Sequence, residues 1–203
     1  MKDELLLTSL ISSRICHDLI SPIGAINNGL ELLALTGAAD GEEVELISAS
    51  AQSAADSLKF LRIAYGAASV TEMMRSAEIA SVISAHLTTQ RLAVEWAAPN
   101  SDISRATAKV ILLMAQVGAT AAPLGGVLKI EETVAGGFPY SIGLTGTKIG
   151  FDPEAAGALG GDIMLDAVEP RYAPLALLSH LAKDMKVGVD WATDGSEGRL
   201  RLG

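Results

Sequence analysis

The sequence predicts a mixed α+β chain. A helical hairpin over residues 1–70 pairs with a second copy into a four-helix bundle, and an α/β layer over residues 71–203 follows. Three observations predict this. Two successive stretches before residue 70 carry an unbroken seven-residue apolar repeat. The repeat stops around residues 66–74, where glycine, serine and methionine intrude, and alternating runs and hairpin turns take over. The chain is also 49% hydrophobic but only 4% aromatic, so its core is aliphatic and alanine-rich, which suits closely packed helices.

The first helix is set by Cys16, Leu19, Ile23, Ile26, Leu30 and Leu33, which alternate three- and four-residue steps as a bundle seam does. TGAADGEE follows as a turn. Gly37 suits the position just past a helix end, and Asp40 with Glu43 resembles a capping box opening the next helix. The second helix repeats the seam with Val44, Ile47, Ala51, Ala54, Leu58, Leu61 and Tyr65. A lone hairpin buries too little, so pairing two copies is the expected remedy and a homodimer is predicted.

Past residue 74 the expectations alternate. Residues 76–89 read as helix and RLAVEW (91–96) as strand. Residues 104–122 form a long apolar helix stopped by Pro123. GGVLKIEETV and YSIGLTGTKIG read as strands with a Gly-Gly turn between them. Residues 152–159 form a short helix, residues 172–185 another, and KVGVDWATDGSEGRLRLG closes the chain as a hairpin. Helices on one face of a sheet are implied.

Bulk composition excludes several classes. A net charge of -9 without a basic stripe argues against a nucleic-acid partner, since phosphate contacts need clustered Lys and Arg. No run approaches the ~20 apolar residues of a membrane span, and MKDELLLTSLI has acids where a signal peptide has bases. The expected location is cytoplasmic. The single cysteine, Cys16, rules out an internal disulfide framework and a cysteine-based zinc site. It is expected as a small buried filler, because neighbours on a helix diverge by about 100° and Cys16 does not face His17. No metal site is expected in the chain.

The stretch RICHDLISPIGAINNGLELL (14–33) carries the chemistry. His17 sits one step off the seam, so its ring is expected at the edge of the bundle. Arg14 and Ser21, three and four residues away, flank it on the same face, and Asp18 adjoins it. Pro22 supplies no donor to the carbonyl of Asp18, and a bend is expected there. His86 and His180 have no such setting and read as ordinary helix-surface or partly packed residues.

H-D-L-x-S-P followed by N-N-G-L-E-L-L resembles the H-box of dimerising bacterial histidine kinases. The longer run C-H-D-L-I-S-P-I-G-A-I-N-N-G-L-E-L-L is more similar still to the histidine phosphotransferase ChpT family, whose order of elements matches the whole chain. The resemblance implies that His17 is the catalytic nucleophile, taking a phosphoryl group from a receiver-domain aspartate. A neutral imidazole, with an ordinary pKa of about 6.5, is available for this. Asp18 would hold the other ring nitrogen. Arg14, by its spacing, and Ser21 are candidates for stabilising the phosphoryl group. The hairpin below His17, including Ile20, Gly24 and Asn27, forms the expected receiver-docking surface, with contributions from the second domain. The resemblance further implies a CckA-like hybrid-kinase receiver as donor and CtrA-like and CpdR-like response regulators as acceptors. Magnesium would come from the partner receiver, and the chain itself needs no cofactor.

The second half resembles a histidine-kinase ATPase domain in order but lacks its motifs. The chain has three asparagines, Asn27, Asn28 and Asn100, and none lies on the long helix, where Gln116 is the nearest polar substitute. No D-x-G-x-G occurs, and DGSEG (194–198) has the wrong spacing and reads as a hairpin turn. A degenerate domain without nucleotide-binding motifs is expected, acting as scaffold or docking surface. Three alternatives stay open: a scaffold that binds receivers without chemistry, a kinase with an atypical ATP site, and a phosphatase using Ser21.

Overall fold

The computed structural model describes residues 2–36, 41–67, 69–133 and 137–203. Helices α1 (Lys2–Thr36) and α2 (Glu42–Ala64) pack along one another as the predicted hairpin. The two seams split by heptad position. Leu19, Ile26 and Leu33 of α1 are half-buried, and on α2 Ile47 and Ala54 are half-buried and Leu61 fully buried. The alternate members, Cys16, Ile23 and Leu30 on α1 and Val44, Ala51 and Leu58 on α2, are exposed. One set closes the hairpin and the other faces outward.

This corrects the expectation for Cys16. It is exposed rather than buried, because it belongs to the outward-facing set. Gly37 and Asp40 lie outside the described residues. Gly41 precedes α2, and no side chain among the described residues caps its start. Helix α1 continues without a break through Pro22.

A five-stranded sheet follows, in the order β2-β4-β5-β7-β6, made of β2 (Leu92–Trp96), β4 (Gly126–Glu132), β5 (Tyr140–Thr145), β6 (Val189–Thr193) and β7 (Glu197–Leu202). Only β2 and β4 run parallel, because helix α4 (Arg105–Thr120) carries the chain back between them. The remaining neighbours are antiparallel, with Ile142 opposite Leu200 and Trp191 opposite the same residue. A small second pairing joins β1 (Met73–Arg75) to β3 (Asp102–Ser104). The Gly-Gly turn expected before β5 falls largely outside the described residues.

Helices α3 (Ser76–Leu87) and α4 lie on the sheet, α6 (Ala173–Asp184) packs on α4, and α5 (Pro153–Gly160) packs on α6. The long helix has an apolar surface nearly all round, so it is buried: residues Val110 to Gly118 are all inside. Ser104 starts it by accepting a hydrogen bond from the Thr107 N–H at 3.1 Å. Gly118 lets it lie close on the sheet, since a Cβ there would sit 2.9 Å from Cγ2 of Ile142. The other sheet face is polar, with Lys129 and Arg199 both reaching Glu131.

The core is continuous with the hairpin. Phe60, Leu61, Ile63 and Ala64 at the end of α2 join Ile79, Ile83 and Ile111, while Leu7 of α1 belongs to the same cluster. Helix α1 also packs against α6 and the 3-10 turns Leu165–Ala167 and Pro170–Tyr172.

Candidate functional site

His17 lies about midway along α1, on a helical face that turns from the hairpin toward solvent. Its side chain is 79% exposed. Asp18 beside it is only 11% exposed, and its two oxygens are divided. Oδ2 accepts a 2.8 Å hydrogen bond from Nε of Arg14, one turn earlier, and Oδ1 lies 3.4 Å from Nδ1 of His17. Arg14 also donates from Nη1 to the carbonyl of Arg171 at 2.9 Å, so its guanidinium ties α1 to a 3-10 turn of the second half. With Nδ1 turned to Asp18, Nε2 is the ring nitrogen that Asp18 does not engage.

Arg14, His17, Asp18 and Ser21, the predicted group, share one wall of a cleft of about 560 Å³. The structure brings all four together. Ile20 and Asn27 are exposed on the same side of α1, and a Cβ added at Gly24 would meet nothing within 4 Å, so this strip is open to a partner.

The opposite wall is a contribution of the second half that the sequence suggests without naming its residues. It comes from the end of α3, the turn into β2, and the last turns of α4: His86, Leu87, Thr89, Arg91, Gln116, Thr120 and their apolar neighbours. His86 stacks on Phe60 at 4.2 Å between ring centroids, and burial pushes its pKa below the ordinary histidine value. Tyr65 donates from its hydroxyl to Oε1 of Gln116 at 2.9 Å, and burial raises the pKa of that phenol well above the ordinary range. Gln116 is 4% exposed, and its Nε2 has no hydrogen-bond partner among the described residues. Among the described residues Arg91 is held by its backbone alone: its N–H donates to Oγ1 of Thr89, and its carbonyl accepts from the N–H of Gly126. Gly125 permits that turn, with φ of +88° and a missing Cβ that would otherwise strike the Arg91 backbone. The one sequence signal for this wall was Gln116, a lone amide within the apolar run VILLMAQVGA.

His180 lies away from this cleft, half-buried and 3.8 Å from Asp184. Among the described residues, no helix is long and apolar enough to cross a membrane.

Residues 76–197, more than half of the chain, match the family described as the histidine phosphotransferase C-terminal domain. The chain belongs to the histidine phosphotransferase family. It is 39% identical over 126 residues to the protein phosphotransferase ChpT of Brucella abortus (strain 2308), a match covering 62% of this chain and 60% of that protein. A solved bacterial phosphotransferase superposes with a TM-score of 0.83 at 29% identity, covering 98% of this chain and 96% of the other. The family match begins after the hairpin, whereas the structural likeness takes in the hairpin as well.

Proposed function

We propose that this chain is a histidine phosphotransferase of a two-component phosphorelay, a carrier between receiver domains rather than an ATP-dependent kinase. The observation that carries the reading is the His17 ring, exposed at the mouth of a cleft with Nδ1 on a carboxylate that Arg14 holds in place. The lone pair of Nε2 attacks the phosphorus of an aspartyl phosphate on the partner. The phosphorus–oxygen bond to the aspartate breaks, its carboxylate leaves with the electron pair, and phosphohistidine forms. Asp18 keeps the Nδ1 proton and supports the positive charge that develops on the ring. Delivery to a response regulator is the same step reversed, and in-line positioning is most of what it needs.

Arg14 contributes positive charge beside the transferred group, and the exposed Ser21 hydroxyl lies one turn along. Magnesium comes with the receiver. Ile20, Gly24 and Asn27 form the docking strip on α1, with a CckA-like receiver as donor and CtrA-like and CpdR-like regulators as acceptors, in the cytoplasm. The hairpin to residue 70 supplies the histidine and the dimer, and residues 71–203 the second wall. The homodimer is supported by the outward-facing heptad set of Cys16, Ile23, Leu30, Val44, Ala51 and Leu58, which a second copy would bury in a four-helix bundle.

The test mixes the chain with receivers carrying labelled phosphate. Acid-labile label on the chain, passed on to a second receiver and lost in His17→Ala while the dimer persists, is the expected result. Transfer undiminished in His17→Ala, or self-labelling from ATP and magnesium with no partner, overturns the reading.

A further inference from the structure

The second wall of the cleft has features that phosphoryl chemistry on His17 does not use. Among the described residues lining the cleft, Asp18 is the single carboxylate, and Arg14 already engages it. This is unusual for a chain with 24 acidic residues against 15 basic ones. Facing it across the cleft, Arg91 is exposed and makes no side-chain hydrogen bond or ion pair among the described residues, although its backbone is fixed at both ends. The same wall includes Gln116, whose amide Nε2 is buried and has no acceptor among the described residues. An unpaired cation on a wall where no carboxylate is described selects for an anionic occupant.

We propose that Arg91 is the docking residue that draws the aspartyl-phosphate face of the partner into the cleft. The proposal rests on the phosphotransfer reading of His17 and adds to it a residue from the second half of the chain. An acyl phosphate carries about two negative charges, and the chain as a whole, at -9, repels such a partner. Arg91 reverses the local sign where the partner must approach. Its effect therefore falls on encounter and on KM, and it is screened by salt.

The experiment measures label transfer from a phosphorylated receiver to His17 at low and high ionic strength, using the full-length chain. Arg91→Ala is expected to lower kcat/KM about tenfold at low salt and about twofold at 0.5 M, with kcat within twofold. Arg91→Glu falls further, and Arg91→Lys recovers most of the loss. Arg75→Glu, the same charge change at an exposed arginine lining a different cavity, controls for net charge. Because Arg91 is exposed, unchanged thermal unfolding separates docking from folding. Equal losses in Arg75→Glu and Arg91→Glu, a loss confined to kcat, or no dependence on salt overturns the proposal. If His17 in the unaltered chain takes no label from any receiver, the phosphotransfer reading fails and this proposal with it. Normal labelling that ignores Arg91 refutes the proposal alone.

Discussion

Removing Arg14 tests whether the acid beside the histidine is held or merely adjacent. Arg14 and Asp18 meet at 2.8 Å with side chains 22% and 11% exposed. Coulomb's law at an effective dielectric of about 20 gives roughly 6 kcal/mol of gross attraction at that distance. Taking both groups largely out of water and fixing two side chains offsets most of it, leaving a net coupling of about 1–2 kcal/mol. Arg14→Ala also frees the Arg171 carbonyl, so the total loss is about 2–3 kcal/mol. For a chain of 203 residues this lowers the unfolding midpoint by roughly 4–12 °C. The assay is a double-mutant cycle by urea denaturation on Arg14→Ala, Asp18→Asn and the double variant, at one fixed protomer concentration. If the two single losses add within about 0.5 kcal/mol, the pair does not interact and Asp18 is not positioned by Arg14.

Further outcomes follow from other parts of the molecule. Burial depresses the pKa of His86, so the unfolded chain binds a proton first on acidification. Stability is then level above about pH 6.5 and falls as the pH drops below it, and His86→Phe should flatten that part of the profile in pH-dependent denaturation. Gly118→Ala places a methyl group 2.9 Å from Ile142 and 3.3 Å from Leu128. Overpacking of about 1–3 kcal/mol exceeds the roughly 1 kcal/mol gained in helix propensity, so denaturation should show a net loss of about 1 kcal/mol, and a stabilised variant would contradict the close helix–sheet contact. Leu58→Glu adds a charge to the outward-facing heptad set, and sedimentation should show the dimer weakened at least tenfold while the monomer keeps its helical circular dichroism.

The sequence announced its helices and most strands because their periodicities are long and regular. The seam of α1 repeats over several turns, and α4 is bounded by Ser104 and Pro123. The three-residue pair Met73–Arg75 and Asp102–Ser104 escaped notice because three residues carry no readable alternation. Pairing direction was equally hidden: nothing in LAVEW distinguishes a parallel neighbour from an antiparallel one. The α1 half of the cleft was legible, since Arg14, His17, Asp18 and Ser21 share a helical face by spacing alone. The other half was not. His86, Arg91 and Gln116 come from three separate elements, and only the packing of α2 against α3 and α4 brings them beside His17. Cys16 was misjudged because an apolar repeat reveals which residues seek cover without revealing which chain provides it.

Helix α1 has 35 residues and α2 has 23, so at 1.5 Å per residue the first outreaches the second by about 18 Å. That overhang lies along α6, with Leu7 sunk in the core and Leu10 and Ile11 packed against it. Prising it away would wet several aliphatic side chains, each at about 1.5–3 kcal/mol. The overhang thus braces the α1 wall of the cleft against the second half of the chain, at a point well apart from where α2 packs on α3 and α4.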